Sequence, residues 1–322
     1  MVSKDILQQQ LQKTLVETNF QGIGEMMRGK VRDSYVGAGK RYIVTTDRIS
    51  AFDRVLGTLP FKGQVLNRVA TFWFEQTKSF VPNHLMATPD PQVMDVLDCV
   101  PLPVEMVVRA YVTGSTSTSI WTHYKEGGRN FCGNPLPDGM KKHQKLEKAI
   151  LTPSTKAEHG DHDVSMSREE ILKLGNVSPE DFDTMAKMSF DLFEFGQQHC
   201  ARQGLILVDT KYEFGRAPDG NIVVIDEVHT PDSSRYWQAT TYEERFTAGQ
   251  DPEGLDKEYV RTWLKNERGF VGDGDIPPIP DEIRVEAASR YIRACEQVTG
   301  EEFKPDGDEP LGRIARNLGC SS

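Results

Sequence analysis

Two kinds of apolar spacing run along this chain. Short runs of branched and aromatic residues bounded by Gly, Pro and Asp predict strands, and longer stretches with apolar residues three and four apart predict helices. Residues 30–36 and 41–45 read as strands joined by Gly37-Ala38-Gly39, residues 104–112 as a further strand, and residues 205–208 and 222–225 as a hairpin turned at Pro218-Asp219-Gly220. Helical spacing covers residues 4–18, 65–78, 257–265 and 281–299. Ser167 with Glu170 fits a capping box, and Ser178 followed by Pro179, Glu180 and Asp181 sets a cap, an N1 proline and first-turn acids in order. The helix after Ser178 should run to about residue 202, where Gly204 stops it, with Phe182, Met185, Met188, Leu192 and Phe195 as its core stripe. The small, hydroxylic residues 113–119 predict a turn or helix start, and residues 127–148 a long loop. No internal repeat is visible. The outline is α+β: a strand-rich, antiparallel N-terminal lobe over residues 1–103 and a larger mixed lobe over residues 104–322.

Length and charge narrow the classes of function. A chain of 322 residues can bury a large core, and a net charge of −10 argues against a nucleic-acid partner while leaving room for a local cationic cleft. The start MVSKDILQQQLQK has no apolar signal core and no run is long enough to span a bilayer, so the expectation is a cytoplasmic protein with no membrane partner, monomeric or a small homo-oligomer. Five scattered cysteines without a CxxC pair predict reduced thiols rather than a disulfide framework or a cysteine zinc site.

The chemistry concentrates in residues 205–237. Alternation puts Asp209, Lys211 and Glu213 on one strand face, and Asp226 follows the returning strand. Grouped carboxylates repel unless a cation offsets them, and oxygen ligands suit Mg²⁺ held together with substrate phosphates. The plain alternative is a solvated hairpin face, which the run Ile-Val-Val-Ile directly before Asp226 and Glu227 argues against. Residues 24–30 match GxxxxGK, yet Val31 stands where a P-loop has Ser or Thr and a strand follows, so Lys30 and Arg32 are read instead as phosphate-facing residues of a hairpin. Arg109, with a Gly-Ser turn at Gly114-Ser115, and Arg235 suit an anion clamp, against the plainer reading of a core ion pair or a rim charge. Residues 152–163 mix His and acids without zinc spacing and read as a polar substrate loop, as do residues 47–53.

Seven stretches, GKVRDSY, TDRISAFD, FKG, RAYVTGS, LTPSTKAEHGDHD, DTKYEFG and DEVHTPDSSRYW, stand in the order seen in the SAICAR synthetase family. The chain resembles that family over about residues 20–300, in the longer single-function form with the TPSTKAE segment. The resemblance implies two lobes with ATP between them, similar in outline to kinases and ATP-grasp enzymes. It further implies ATP-dependent ligation of L-aspartate to the carboxylate of carboxyaminoimidazole ribonucleotide, with ATP and Mg²⁺ required. Carried over, Lys30, Val31 and Arg32 face ATP, and Asp209, Glu213 and Asp226 are its nucleotide and metal carboxylates. Arg109, Ser115 and Arg235 clamp the ribonucleotide phosphate, while Ser50, Lys62, Gly63 and Lys156 fall in substrate-facing motifs. Lys211 is assigned to catalysis, and Asp53 or Asp161 is the carboxylate that accepts the amine proton. A small-molecule kinase or a nucleotide-binding regulator without turnover is the alternative; an amine-dependent release of ADP separates the three.

Overall fold

Two antiparallel sheets from opposite halves of the chain meet along a seam crossed by charged side chains. The computed structural model describes residues 2–52, 54–116, 118–156, 164–255 and 257–321. The first half runs α1 (Lys4–Gln10), β1 (Glu25–Arg28), β2 (Arg32–Gly37), β3 (Lys40–Thr45), β4 (Arg48–Ala51), β5 (Arg54–Thr58), α2 (Lys62–Thr77), β6 (Leu85–Asp90) and β7 (Val93–Leu97). The second begins with β8 (Val100–Tyr111), α3 (Ile120–Lys125), β9 (Asn130–Phe131), β10 (Asn134–Pro135), β11 (Lys145–Leu151) and β12 (Ser154–Thr155). It continues through α4 (Arg168–Lys173), α5 (Pro179–Arg202), β13 (Leu205–Arg216), β14 (Ile222–Ile225), β15 (Ser234–Gln238), α6 (Ala239–Thr247), α7 (Glu258–Arg268), α8 (Asp281–Thr299) and α9 (Pro310–Leu318).

The first sheet has the order β1-β2-β3-β7-β6, and β4 and β5 form a separate hairpin. In the second sheet, β8 and β13 are the long central pair, flanked by β11 and β12 on one side and by β14 and β15 on the other. Asn83 bridges Val224 in parallel, which joins the two halves by backbone. One apolar core runs through both halves, and α5 supplies Phe182, Met185, Leu192 and Phe193, all buried, against the second sheet. Each such side chain contributes about 1.5–3 kcal/mol through burial.

Local signals set several boundaries. Both arms of the Ser167/Glu170 capping box are made, and α5 starts at Pro179 with the Ser178 hydroxyl on the Asp181 amide. Met188 and Phe195 of the expected stripe are partly buried at its edge. Long-range contacts decide the rest. The helix expected over residues 4–18 ends at Gln10, because the following backbone is captured: the Leu15 N–H donates to Asp47 (2.7 Å) and that of Thr18 to Asp33 (2.8 Å). The expected loop over residues 127–148 contains the short β9–β10 hairpin and the start of β11.

Two helices were not foreseen, α6 and α9. The latter returns to the first sheet, where Ile314 joins Leu15, Phe20, Tyr35, Val44 and Val93 in a second core. There the buried Arg313 is fixed by Asp90 (3.0 Å) and Gln92 (2.7 Å).

Candidate functional site

Asp209, Lys211 and Glu213 do share one face of β13, but they divide into two charge clusters. At one end, Glu213 stands opposite Glu105 of β8 in the cross-strand register. Like charges so placed repel, and Lys211 resolves the conflict by reaching both, 2.6 Å from Glu105 and 2.8 Å from Glu213. Lys156 adds a 2.6 Å contact to the second Glu213 oxygen. Burial alone would raise the Glu213 carboxyl; Lys211 and Lys156 outweigh it and hold the group down at about 2. Conversely, Glu213 and Glu105 hold the Lys211 ammonium above its ordinary value in spite of burial.

Across the seam, Arg32 at the start of β2 meets Asp226 (2.6 Å) and Glu227 (2.7 Å). Consecutive residues of a strand point to opposite faces, so one guanidinium cannot ordinarily reach both. Asp226 adopts φ 68° as β14 ends, a left-handed conformation that Asp tolerates, and this turns both carboxylates toward Arg32. The Thr230 hydroxyl donates to Glu227 and completes that corner. These pairs set four carboxylates, Glu105, Glu213, Asp226 and Glu227, against three cations, Arg32, Lys156 and Lys211. The shortfall shows at Asp226: burial raises its carboxyl above the usual range, Arg32 opposes this, and Glu213 and Glu227 add to it.

Asp209 lies at the other end of the strand face, about 13 Å from Glu213 at ~3.3 Å per residue. The structure does not bring it to Glu213 and Asp226; it sits between Arg235 (2.5 Å) and Arg109 (3.3 Å), each its register partner on a neighbouring strand. Arg109 also donates through Nε to Thr152 (2.9 Å), so two guanidiniums are held side by side by one carboxylate and one hydroxyl. Burial lowers the Arg109 pKa, which Asp209 opposes and Arg235 reinforces. Ser115, on the turn after β8, donates to Glu258 of α7 (2.9 Å), which also takes Arg261 (2.7 Å).

Between the clusters lies Lys62, the first residue of α2, fully buried with its Nζ 2.7 Å from Asp232. The Tyr291 hydroxyl of α8 holds the other Asp232 oxygen at 2.6 Å. Against burial, Lys62 and Lys257 keep Asp232 down at about 2. Gly63 has a packing reason of its own: a Cβ there would collide with the Thr45 carbonyl and the Gln92 amide, and its N–H donates to Asp47 (2.8 Å).

Lys30 is exposed just before β2, where its carbonyl accepts from Arg48 (2.9 Å), and the Val31 carbonyl accepts from the Thr46 hydroxyl (2.7 Å). Ser50 is half-buried on β4; the tip of that hairpin reaches α7, with Phe52 edge-on to Phe270 and under the Arg261 guanidinium. Asp53 and Asp161 lie outside the described residues.

Sequence reasoning missed Glu105, Asp232, Lys257, Glu258 and Arg261 as members of the site. Glu105 carried a usable signal, an acid inside an otherwise apolar strand. The α7 residues carried none, because only packing brings that helix to the turn at Ser115. Among the described residues no three His, Cys, Asp or Glu side chains form a ready-made metal site.

Known proteins resemble this chain in sequence and in fold. A profile described as SAICAR synthetase matches residues 25–273. The phosphoribosylaminoimidazole-succinocarboxamide synthase of Legionella pneumophila (strain Paris) is 48% identical over 311 residues, which cover 95% of this chain and 99% of that protein. The chloroplastic enzyme of that name from Arabidopsis thaliana is 48% identical over 316 residues, 98% of this chain and 76% of that protein. A solved structure of SAICAR-synthase from Saccharomyces cerevisiae complexed with SAICAR has a TM-score of 0.77 and 30% identity, covering 90% of this chain and all of that one. A family profile over most of the chain and a relative almost half identical along its whole length show that this chain belongs to the SAICAR synthetase family.

Proposed function

We propose that this chain joins L-aspartate to the carboxylate of carboxyaminoimidazole ribonucleotide, consuming ATP and releasing SAICAR, ADP and phosphate. The observation that carries the reading is the division of one strand face into a paired-arginine end and a lysine–carboxylate end about 13 Å apart. A phosphate meets two preformed forked donors at Arg109 and Arg235, with Asp209 offsetting their mutual repulsion. The nucleotide phosphates belong at the other end, beside Arg32, Lys156 and Lys211, with Lys30 and Val31 on the covering hairpin.

A carboxylate is a poor acyl donor because oxide is a poor leaving group. Its oxygen therefore attacks the terminal phosphorus of ATP, ADP departs, and the resulting acyl phosphate is attacked by the aspartate amine with loss of phosphate. Arg32, Lys156 and Lys211 neutralise charge as phosphorus is transferred, and their fixed positions avoid reorganisation during the step. The amine attacks only when neutral, so a proton must leave it; Asp53 or Asp161 is the candidate carboxylate to accept it. Mg²⁺ fits the acidic end because burial together with Glu213 and Glu227 raises the Asp226 carboxyl, a charge conflict that a cation shared by these oxygens would relieve. Asp226 and Glu213 would hold it jointly with nucleotide phosphates, since hard cations take oxygen ligands and Mg²⁺ is usually shared in this way. When bound it supplies Lewis-acid stabilisation of the phosphoryl oxygens. The free thiols and the requirement for ATP support a cytoplasmic location.

The test is ADP release from Mg-ATP and the ribonucleotide with and without L-aspartate, with the product identified by mass. Aspartate-dependent release with the amide product is expected. Release of ADP without amide would overturn the ligase reading in favour of a kinase.

A further inference from the structure

His143 lies between β10 and β11, in a segment that none of the sequence motifs includes. It is buried, and its backbone is fixed on three sides. The N–H donates to Val112 (2.7 Å), the neighbouring Gln144 carbonyl accepts from Val112 (2.8 Å), and the His143 carbonyl accepts from the Tyr242 hydroxyl (2.8 Å). The imidazole spans two further segments: Nδ1 is 2.9 Å from the Thr113 hydroxyl and Nε2 is 2.7 Å from an Asp251 oxygen.

Those two segments carry the anion site. Thr113 opens the turn that ends in Ser115, and Asp251 sits in the connection leading to α7, whose Glu258 accepts from Ser115. The turn is thus tied to α7 by Ser115–Glu258 and, through His143, to the connection between α6 and α7 at Asp251. We propose that His143 is a positioning residue for the ribonucleotide-phosphate site: bridging Thr113 to Asp251, it holds the Ser115 turn in place beside Arg109 and Arg235. This rests on the assignment of that site in the preceding section.

In the neutral ring the proton sits on Nε2, which donates to Asp251 while the Thr113 hydroxyl donates to Nδ1; in the protonated ring both nitrogens donate and both contacts persist. Protonation places a second N–H on Nδ1 and forces the hydroxyl to turn round. The charged groups around the ring are Asp251 from the α7 approach, Lys142 from its own segment and Arg235 from β15, with Trp237 edge-on at 5.3 Å. Burial lowers the imidazole pKa, the Asp251 bond opposes this, and Lys142 and Arg235 lower it further. A depressed histidine is neutral near neutrality, so there the Thr113 hydroxyl is the donor to Nδ1 and Asp251 the acceptor from Nε2.

The test measures kcat and the KM of each substrate for the wild type, His143→Ala, His143→Asn and Thr113→Val at about pH 7.5. His143→Ala and Thr113→Val are expected to raise the ribonucleotide KM ~10-fold while kcat and the ATP KM stay within ~2-fold. His143→Asn tolerates the left-handed backbone (φ 68°) and keeps one hydrogen-bonding arm, so it recovers to within ~3-fold. Equal changes in all three KM values, or no change at all, would overturn the proposal. Arg235→Ala separates the two levels of inference. If it leaves the ribonucleotide KM unmoved, the site assignment fails; if it raises that KM while the His143 and Thr113 variants do not, only the bridge fails.

Discussion

Replacing Lys211 by Met removes the ammonium that separates two carboxylates facing each other across β8 and β13. Met is close in length and apolar, so the loss is mainly electrostatic. Glu105 and Glu213 are then left 9% and 13% exposed without that counter-charge. Breaking a buried pair by deleting one partner costs about 3–5 kcal/mol. The lower end, about 3 kcal/mol, applies here because Lys211 is itself 32% exposed and Lys156 still contacts Glu213.

The pH dependence of this loss distinguishes charge from packing. In the wild type the Glu213 pKa is depressed to about 2 from an unperturbed 4.5. Its contribution to stability is therefore complete above the unfolded value and lost as pH falls through the folded one. In Lys211→Met the two carboxyls are raised instead, so the variant is penalised near neutrality and relieved by acidification. The assay is urea unfolding followed by tryptophan fluorescence from about pH 7.5 to about pH 5. The gap between wild type and variant should narrow by about 1 kcal/mol or more over that range. A gap that stays constant, or widens on acidification, would refute the reasoning.

Gly63→Ala should destabilise by about 1–3 kcal/mol, because its Cβ meets the Thr45 backbone, which cannot rotate away; an unchanged melting temperature would show that α2 can shift at no cost. Arg313→Met should lower stability by about 3 kcal/mol, because the fully buried Asp90 loses its counter-charge and keeps only the hydrogen bonds from the Gln92 N–H and Asn317, with the KM of every substrate unchanged. Thermal unfolding beside steady-state kinetics checks both halves of that expectation. Asp226→Asn should reduce turnover ~100-fold or more and shift its dependence on Mg²⁺ upward, with folding little affected because the raised carboxyl gives up an unfavourable charge. An unaltered magnesium titration would remove Asp226 from the metal site.

What the sequence determined by itself were the features governed by neighbours a few residues away. The Ser167/Glu170 box, the start of α5 at Pro179 and its end before Gly204, the turn at Pro218-Asp219-Gly220 and the shared face of Asp209, Lys211 and Glu213 follow from capping chemistry, left-handed backbone and strand alternation. The arms of that hairpin do not, since residues 222–225 pair with 213–216 while 205–207 pair with β15. The ordered motifs were equally legible, because each is a contiguous string. Partnership was not. Nothing local tells Asp209 that its neighbours are Arg109 and Arg235, tells Glu213 that it faces Glu105, or draws α7 to the turn at Ser115. These depend on register across strands and on packing between elements far apart in the chain, such as Arg32 with Asp226, 194 residues away. The same limit explains why α1 stops at Gln10 and why α9 lies on the first sheet. Distant carboxylates, Asp47 and Asp33 in one case and Asp90 in the other, win backbone and guanidinium groups that local propensity would have placed elsewhere. A residue's type and spacing show what chemistry it can offer, but only tertiary structure brings it within hydrogen-bonding distance of a partner.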